Sequence, residues 1–184
     1  MTGIHTHWFA VRALAVMLWA GALGPAVGAG PGTASQQDAA IAYLDTVATA
    51  GKDAHTCWDE LMKARVPQVP QPAFRMHRLL VMACAKLTDS SLQAVQALNP
   101  PQGLGQFTAV AGGYRKHHVK ALELRLAALG AAKLANDEPS PALSASYTAM
   151  SNAAMDQYVA MGAITMKLAN QLGRDPWDMS QKRK

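Results

Sequence analysis

The chain has 184 residues, of which 50% are hydrophobic, 16% charged and only 6% aromatic, with a formal net charge of +5. An apolar share this large excludes an intrinsically disordered chain, and sequence rich in Ala, Leu and Met favours helix over strand. Arg12 carries one excess charge and Lys182, Arg183 and Lys184 carry three, which leaves +1 on the body and no basic face for a nucleic acid.

Residues 1–29 read as a secretory signal peptide. His5, His7 and Arg12 make a weakly basic start, Ala13 to Leu23 an uncharged apolar run, and Ala26 to Gly30 a small-residue exit that a signal peptidase can read. The run is shorter than the roughly 20 apolar residues a spanning helix needs, so no stable membrane span is expected once the signal is cleaved; the alternative is an uncleaved anchor. No Cys follows it for lipid attachment, and no Arg-Arg pair precedes it for the twin-arginine route. The expected location is periplasmic or secreted, and the processed chain, about 155 residues, fits one domain.

Residues 30–36 read as a flexible leader, with Thr33 or Ser35 placed to cap a helix. The bundle domain is expected over residues 37–177. Ala40, Leu44, Val47, Gly51, Ala54, Trp58 and Leu61 recur at steps of three and four, which is one helical face. Gly51 either splits this stretch or kinks it. Pro67, Pro70 and Pro72 end it after Val66 and make a short extended connector.

A second helix is predicted from about Ala73 to Leu87, with Phe74, His77, Leu80, Cys84 and Leu87 on one face and Arg75, Arg78 and Lys86 on the other. Thr88, Asp89 or Ser90 is placed to cap a separate short helix ending near Leu98, before Asn99-Pro100-Pro101. Gly103 and Gly105 mark the next loop. A long helix then runs from about Phe107 to Ala135, striped by Val119, Leu122, Leu126 and Leu129, with Gly112-Gly113 as a weak point.

Ser140 and Pro141 open the last long helix, along which Leu143, Tyr147, Met150, Ala154, Tyr158, Met161, Thr165, Leu168 and Leu172 keep helical spacing until Gly173. Residues 178–184 form a basic C-terminal tail. No segment alternates with a period of two, so the predicted fold class is all-α: an antiparallel helical bundle of four main helices plus a short fifth helix.

Cys57 and Cys84 are the only cysteines. An even pair in an exported chain reads as a disulfide, worth roughly 3–4 kcal/mol for the loop it closes. The alternative is a metal site built from His55, Cys57, His77 and Cys84. It is strained at the outset, because residues two apart on a helix splay by about 200° while zinc wants four convergent donors. Met150 with Met161, and Met155 with Met166, fall on two different sides of the last helix. Thioethers bind Cu(I), but without a close cluster these methionines read as adaptable packing.

Catalytic motifs are missing: no G-x-S-x-G, H-E-x-x-H, phosphate-cradling glycine loop, Ser-x-x-Lys, Glu-x-x-His or C-x-x-C-H is present. The chain is therefore expected not to be an enzyme and to need no cofactor. RKHHVK, with Arg115, Lys116, His117 and Lys120, is the candidate partner-binding face for an acidic partner, and its His118, beside the Leu122 stripe, is placed to titrate near neutral pH. The ordinary reading of RKHHVK is a solvated helix face. Trp177, after the last helix, either packs back onto the bundle or anchors a partner. Together these readings point to a non-enzymatic protein-binding module of the cell envelope, such as an inhibitor, immunity factor, adaptor or chaperone, whose partner is another envelope protein. The alternative is a small-ligand or metal-binding helical bundle.

Overall fold

A computed structural model describes residues 33–64, 72–138 and 140–173, with the side chains of 72–76 outside the description. The expected signal segment, most of the Pro-rich connector, Trp177 and the basic tail lie outside the described residues. Within them the chain forms five α-helices and no strand: α1 (Ala34–Ala50), α2 (Lys52–Lys63), α3 (Pro72–Ala97), α4 (Thr108–Asp137) and α5 (Pro141–Gln171). The structure is an all-α bundle in which α2 is the short helix.

The first helix starts inside the stretch expected to be leader. Thr33 accepts from Gln36 N (3.3 Å) and Gln36 Oε1 accepts from Thr33 N (3.0 Å), a reciprocal capping box that makes Ala34–Gln36 helical. Gln36 Nε2 also donates to Gly103 O (3.1 Å), tying this first turn to the loop before α4. At Gly51 the stretch splits: the residue closes α1 and opens α2 with φ −91° and ψ −2°. The reason is tertiary. A Cβ on Gly51 would sit 2.3 Å from His118 Nε2, so the imidazole of α4 presses against the bare backbone.

The expected break at Thr88–Ser90 is not there, and α3 runs through it. Thr88 and Ser91 turn inward with Val81, Cys84 and Val95, so the inner face continues and the hydroxyl of Thr88 is spent in the core rather than on a cap. Leu87, placed on the buried face by its spacing, is exposed instead. Gly112-Gly113 likewise does not interrupt α4. A Cβ on Gly113 would meet Ile164 Cδ1 at 3.4 Å, so the glycine sits where α5 packs closely.

Three residues join α4 to α5, too few for anything but an antiparallel pair. At 1.5 Å per residue these two helices are each about 45 Å long and form the spine of the bundle. The core lies in two clusters. One gathers Leu44, Val47, Leu104, Phe107, Leu122, Met161 and Leu168 from α1, the 3-10 turn Gly105–Phe107 and its preceding loop, α4 and α5. The other gathers Trp58, Leu61, Val81, Cys84, Ala128 and Leu129 where α2, α3 and α4 meet. No helix among the described residues is long and apolar enough to cross a membrane.

Candidate functional site

The two cysteines are bonded to each other, with Cα atoms 5.4 Å apart, and clamp α2 onto α3. Both sulfurs are thereby used, so the alternative donor set of His55, Cys57, His77 and Cys84 does not form. His77 is half-buried with no hydrogen bond to its Nδ1, while His55 turns toward α4 and α5. Among the described residues no three His, Cys, Asp or Glu side chains come together as a metal-binding group.

The RKHHVK face is largely taken up by the fold itself. Arg115 Nε donates to Val95 O (3.2 Å), which also accepts from Leu98 N, and Arg115 Nη2 donates to Gln96 O, a carbonyl at the end of α3, so the guanidinium caps that helix. His117 Nδ1 donates to Gln157 Oε1 (2.9 Å), joining α4 to α5, and Lys120 pairs with Glu123 (3.2 Å) on its own helix. Lys116 is exposed. A cluster that looks like a basic surface in the sequence is thus distributed over a helix cap, a helix–helix contact and a solvated ion pair.

His118 points the other way, into the bundle, where it is fully buried and both ring nitrogens lack a hydrogen-bond partner. It belongs to a polar cluster that the sequence reading did not assemble. Arg125, seven residues on and only 4% exposed, donates from Nη1 to His55 Nδ1 (3.1 Å). Its guanidinium carbon lies 4.2 Å from the Tyr158 ring centroid and 5.0 Å from that of Trp58. Among the described residues no carboxylate reaches ion-pair distance of Arg125, so aromatic faces do the work that a carboxylate usually does. The His55 ring packs on Tyr158 at 4.5 Å and on His118 at 5.6 Å.

This environment fixes the protonation states. Burial, then the Arg125 charge, pushes the His55 pKa down to about 4; burial, then His55 and Arg125, does the same for His118. The phenol of Tyr158 is pushed up to about 12, mainly by burial, against the lowering influence of Arg125. Both imidazoles are therefore neutral at pH 7, and His118 does not titrate near neutrality as its position in RKHHVK suggests. Chemically the cluster is a desolvated cation held by rings that close on one another. The i, i+7 relation of His118 to Arg125 and the i, i+3 relation of His55 to Trp58 were the available signals.

The outer side of α5 is different in kind. Met155, Val159 and Met166 are 52%, 56% and 56% exposed, and Gly162 and Ala163 lie open between them. Met155, Val159, Gly162 and Met166 are three or four residues apart, with Ala163 beside Gly162, so they form one line along the helix. Met161, on the opposite side, is buried in the core. Asp156 and Lys167, both exposed, are the only charged residues in the 31 of α5.

No known protein family matches this chain, and neither does any curated protein or solved structure.

Proposed function

We propose that this chain is an exported, non-enzymatic protein-binding module of the cell envelope whose working surface is the outer face of α5. An inhibitor, immunity factor, adaptor or chaperone would work in this way. The reading of export rests on the signal-like residues 1–29 and on the Cys57–Cys84 bond, which persists in oxidising compartments.

One observation carries the choice of surface. Arg115 and His117 of RKHHVK bond to other helices and Lys120 to Glu123, which leaves Lys116 as its one exposed cation without a bond among the described residues, whereas Met155, Val159 and Met166 expose a continuous apolar line on a long helix. Aligned apolar side chains at helical spacing on a surface are what a partner protein covers. Tyr158 of α5 packs on Arg125 and His55 in the buried cluster, which holds the helix in place behind that face and lowers the ordering cost of binding.

A photo-reactive amino acid placed at Val159, with a control on the polar start of α2 at Lys52, tests the surface in intact cells. Adducts to protein from position 159 and none from position 52 are expected. Equal yields at both positions, or none at either, would overturn the assignment. Export is tested separately: the mature protein should lack about the first 29 residues and resist thiol alkylation until reduced.

A further inference from the structure

We infer that the occupant of the α5 face is a second copy of this chain, lying antiparallel across a twofold axis near Met161 and Gly162. The inference rests on the proposed reading that this face is a binding surface, and it names the partner.

The argument is the placement of charge. Asp156 and Lys167 are opposite in sign, exposed, and without an ion pair among the described residues. They are eleven residues apart, which is close to three turns, so they fall on the same flank of the apolar line about 16 Å apart along the axis. Met155 and Met166 have the same eleven-residue step, each one position before its charged neighbour.

An antiparallel pair brings residues of the same flank together. Reversal about a point midway between Asp156 and Lys167 sets each Asp156 level with Lys167 of the other copy, and symmetry makes the contact twice. The same reversal sets each Met166 level with the gap between Met155 and Val159 of the other copy, a knob facing a hole. Gly162 and Ala163 fall at the axis, where small side chains let two backbones approach. A parallel twofold pair would instead put the two charged flanks on opposite sides of the interface, where Asp156 meets no Lys167.

The size of the face suits a reversible pair. Reversal about that point overlaps residues 152–171 of α5 on the two copies, about 30 Å of helix, and somewhat under half the circumference of a cylinder roughly 11 Å across gives roughly 450 Å² per partner. A standard interface buries about 800 Å² per partner, so weak, reversible association is expected rather than an obligate dimer.

Sedimentation equilibrium of the disulfide-intact chain across about 1 µM to 1 mM reads this directly. A monomer–dimer equilibrium is expected. Asp156→Lys and Lys167→Asp should each weaken it about tenfold, and the double charge swap should bring it back to within about threefold of the starting value. Val159→Glu should abolish it. Unchanged thermal melting of each variant shows that the loss is at the surface and not in the fold. A chain monomeric at the highest concentration, or a dimer that the double swap does not restore, overturns self-pairing. If the chain is monomeric while position 159 still yields adducts to a different protein, self-pairing alone falls. If those adducts are missing as well, the binding-face reading falls with it.

Discussion

Acidifying the protein from pH 7 to pH 5 should remove about 4 kcal/mol of stability through His55 and His118 alone. Both are held neutral in the fold with pKa values of about 4, against 6.5 for an exposed histidine. Between those values the unfolded chain binds protons that the folded chain refuses, so stability falls as pH drops. Above about 6.5 both states are neutral and nothing is lost; below about 4 the loss is complete, at about 3.4 kcal/mol for each ring. At pH 5 the linkage comes to about 2 kcal/mol per ring, and the two add because neither is charged in the fold at that pH. Against a total of about 5–15 kcal/mol for a domain this is a large share, and it corresponds to a drop of about 8–16 °C in Tm. Urea unfolding at the two pH values and constant ionic strength measures the loss. Replacing His118 with Leu should roughly halve the histidine part of the slope. NMR titration of the imidazole protons gives the pKa values independently. His55 and His118 titrating near 6.5, or a stability unchanged from pH 7 to pH 5, would refute the reasoning.

Gly51→Ala should destabilise by about 1–3 kcal/mol in denaturant melts even though alanine is the better helix former, because its Cβ would meet the immobile His118 ring at 2.3 Å. Cys57→Ser paired with Cys84→Ser should lower stability by about 3.5 kcal/mol on the loop-closure estimate for a separation of 27 residues. Reducing agent should give a similar loss in the parent and none in the variant. Arg115→Ala should cost about 0.5–1.5 kcal/mol of folding stability, since Gln96 O loses its charged donor while Val95 O keeps its bond from Leu98 N. A variant as stable as the parent would return Arg115 to the list of surface candidates.

Much of the fold was legible because helical periodicity is written locally. Ala40 to Leu61 and Leu143 to Leu172, chosen by their steps of three and four, are all buried or half-buried. The terminations at Asn99-Pro100-Pro101 and Gly173 needed only the chemistry of Pro and Gly. The cysteine pair was readable from its even number and the expectation of export, and Cys57 is bonded to Cys84.

What spacing cannot carry is the identity of a residue's distant neighbour. Thr88 and Ser90 looked like caps because a capping hydroxyl and an inward one are the same residue type in sequence; the burial of Thr88 and Ser91 along α3 decides against a break. Arg115 and His117 looked like surface because charge is usually solvated. The open end of α3 and Gln157 of α5, far along the chain, engage them. Spacing put Met150 and Met161 on the stripe of Leu143 to Leu172 and Met155 and Met166 off it, but it could not say whether another element covers the second pair.

By itself, then, the sequence determined where helices lie, which stripe each one offers and that two sulfurs are available to join. Only the tertiary structure decided that His118 rests on Gly51, that Arg125 is held by aromatic faces, and that Met155, Val159 and Met166 are left outside. The physical reason is range. Backbone geometry repeats every 3.6 residues and sorts side chains by local order, whereas burial and charge pairing depend on elements up to 85 residues apart, as Met62 and Tyr147 are.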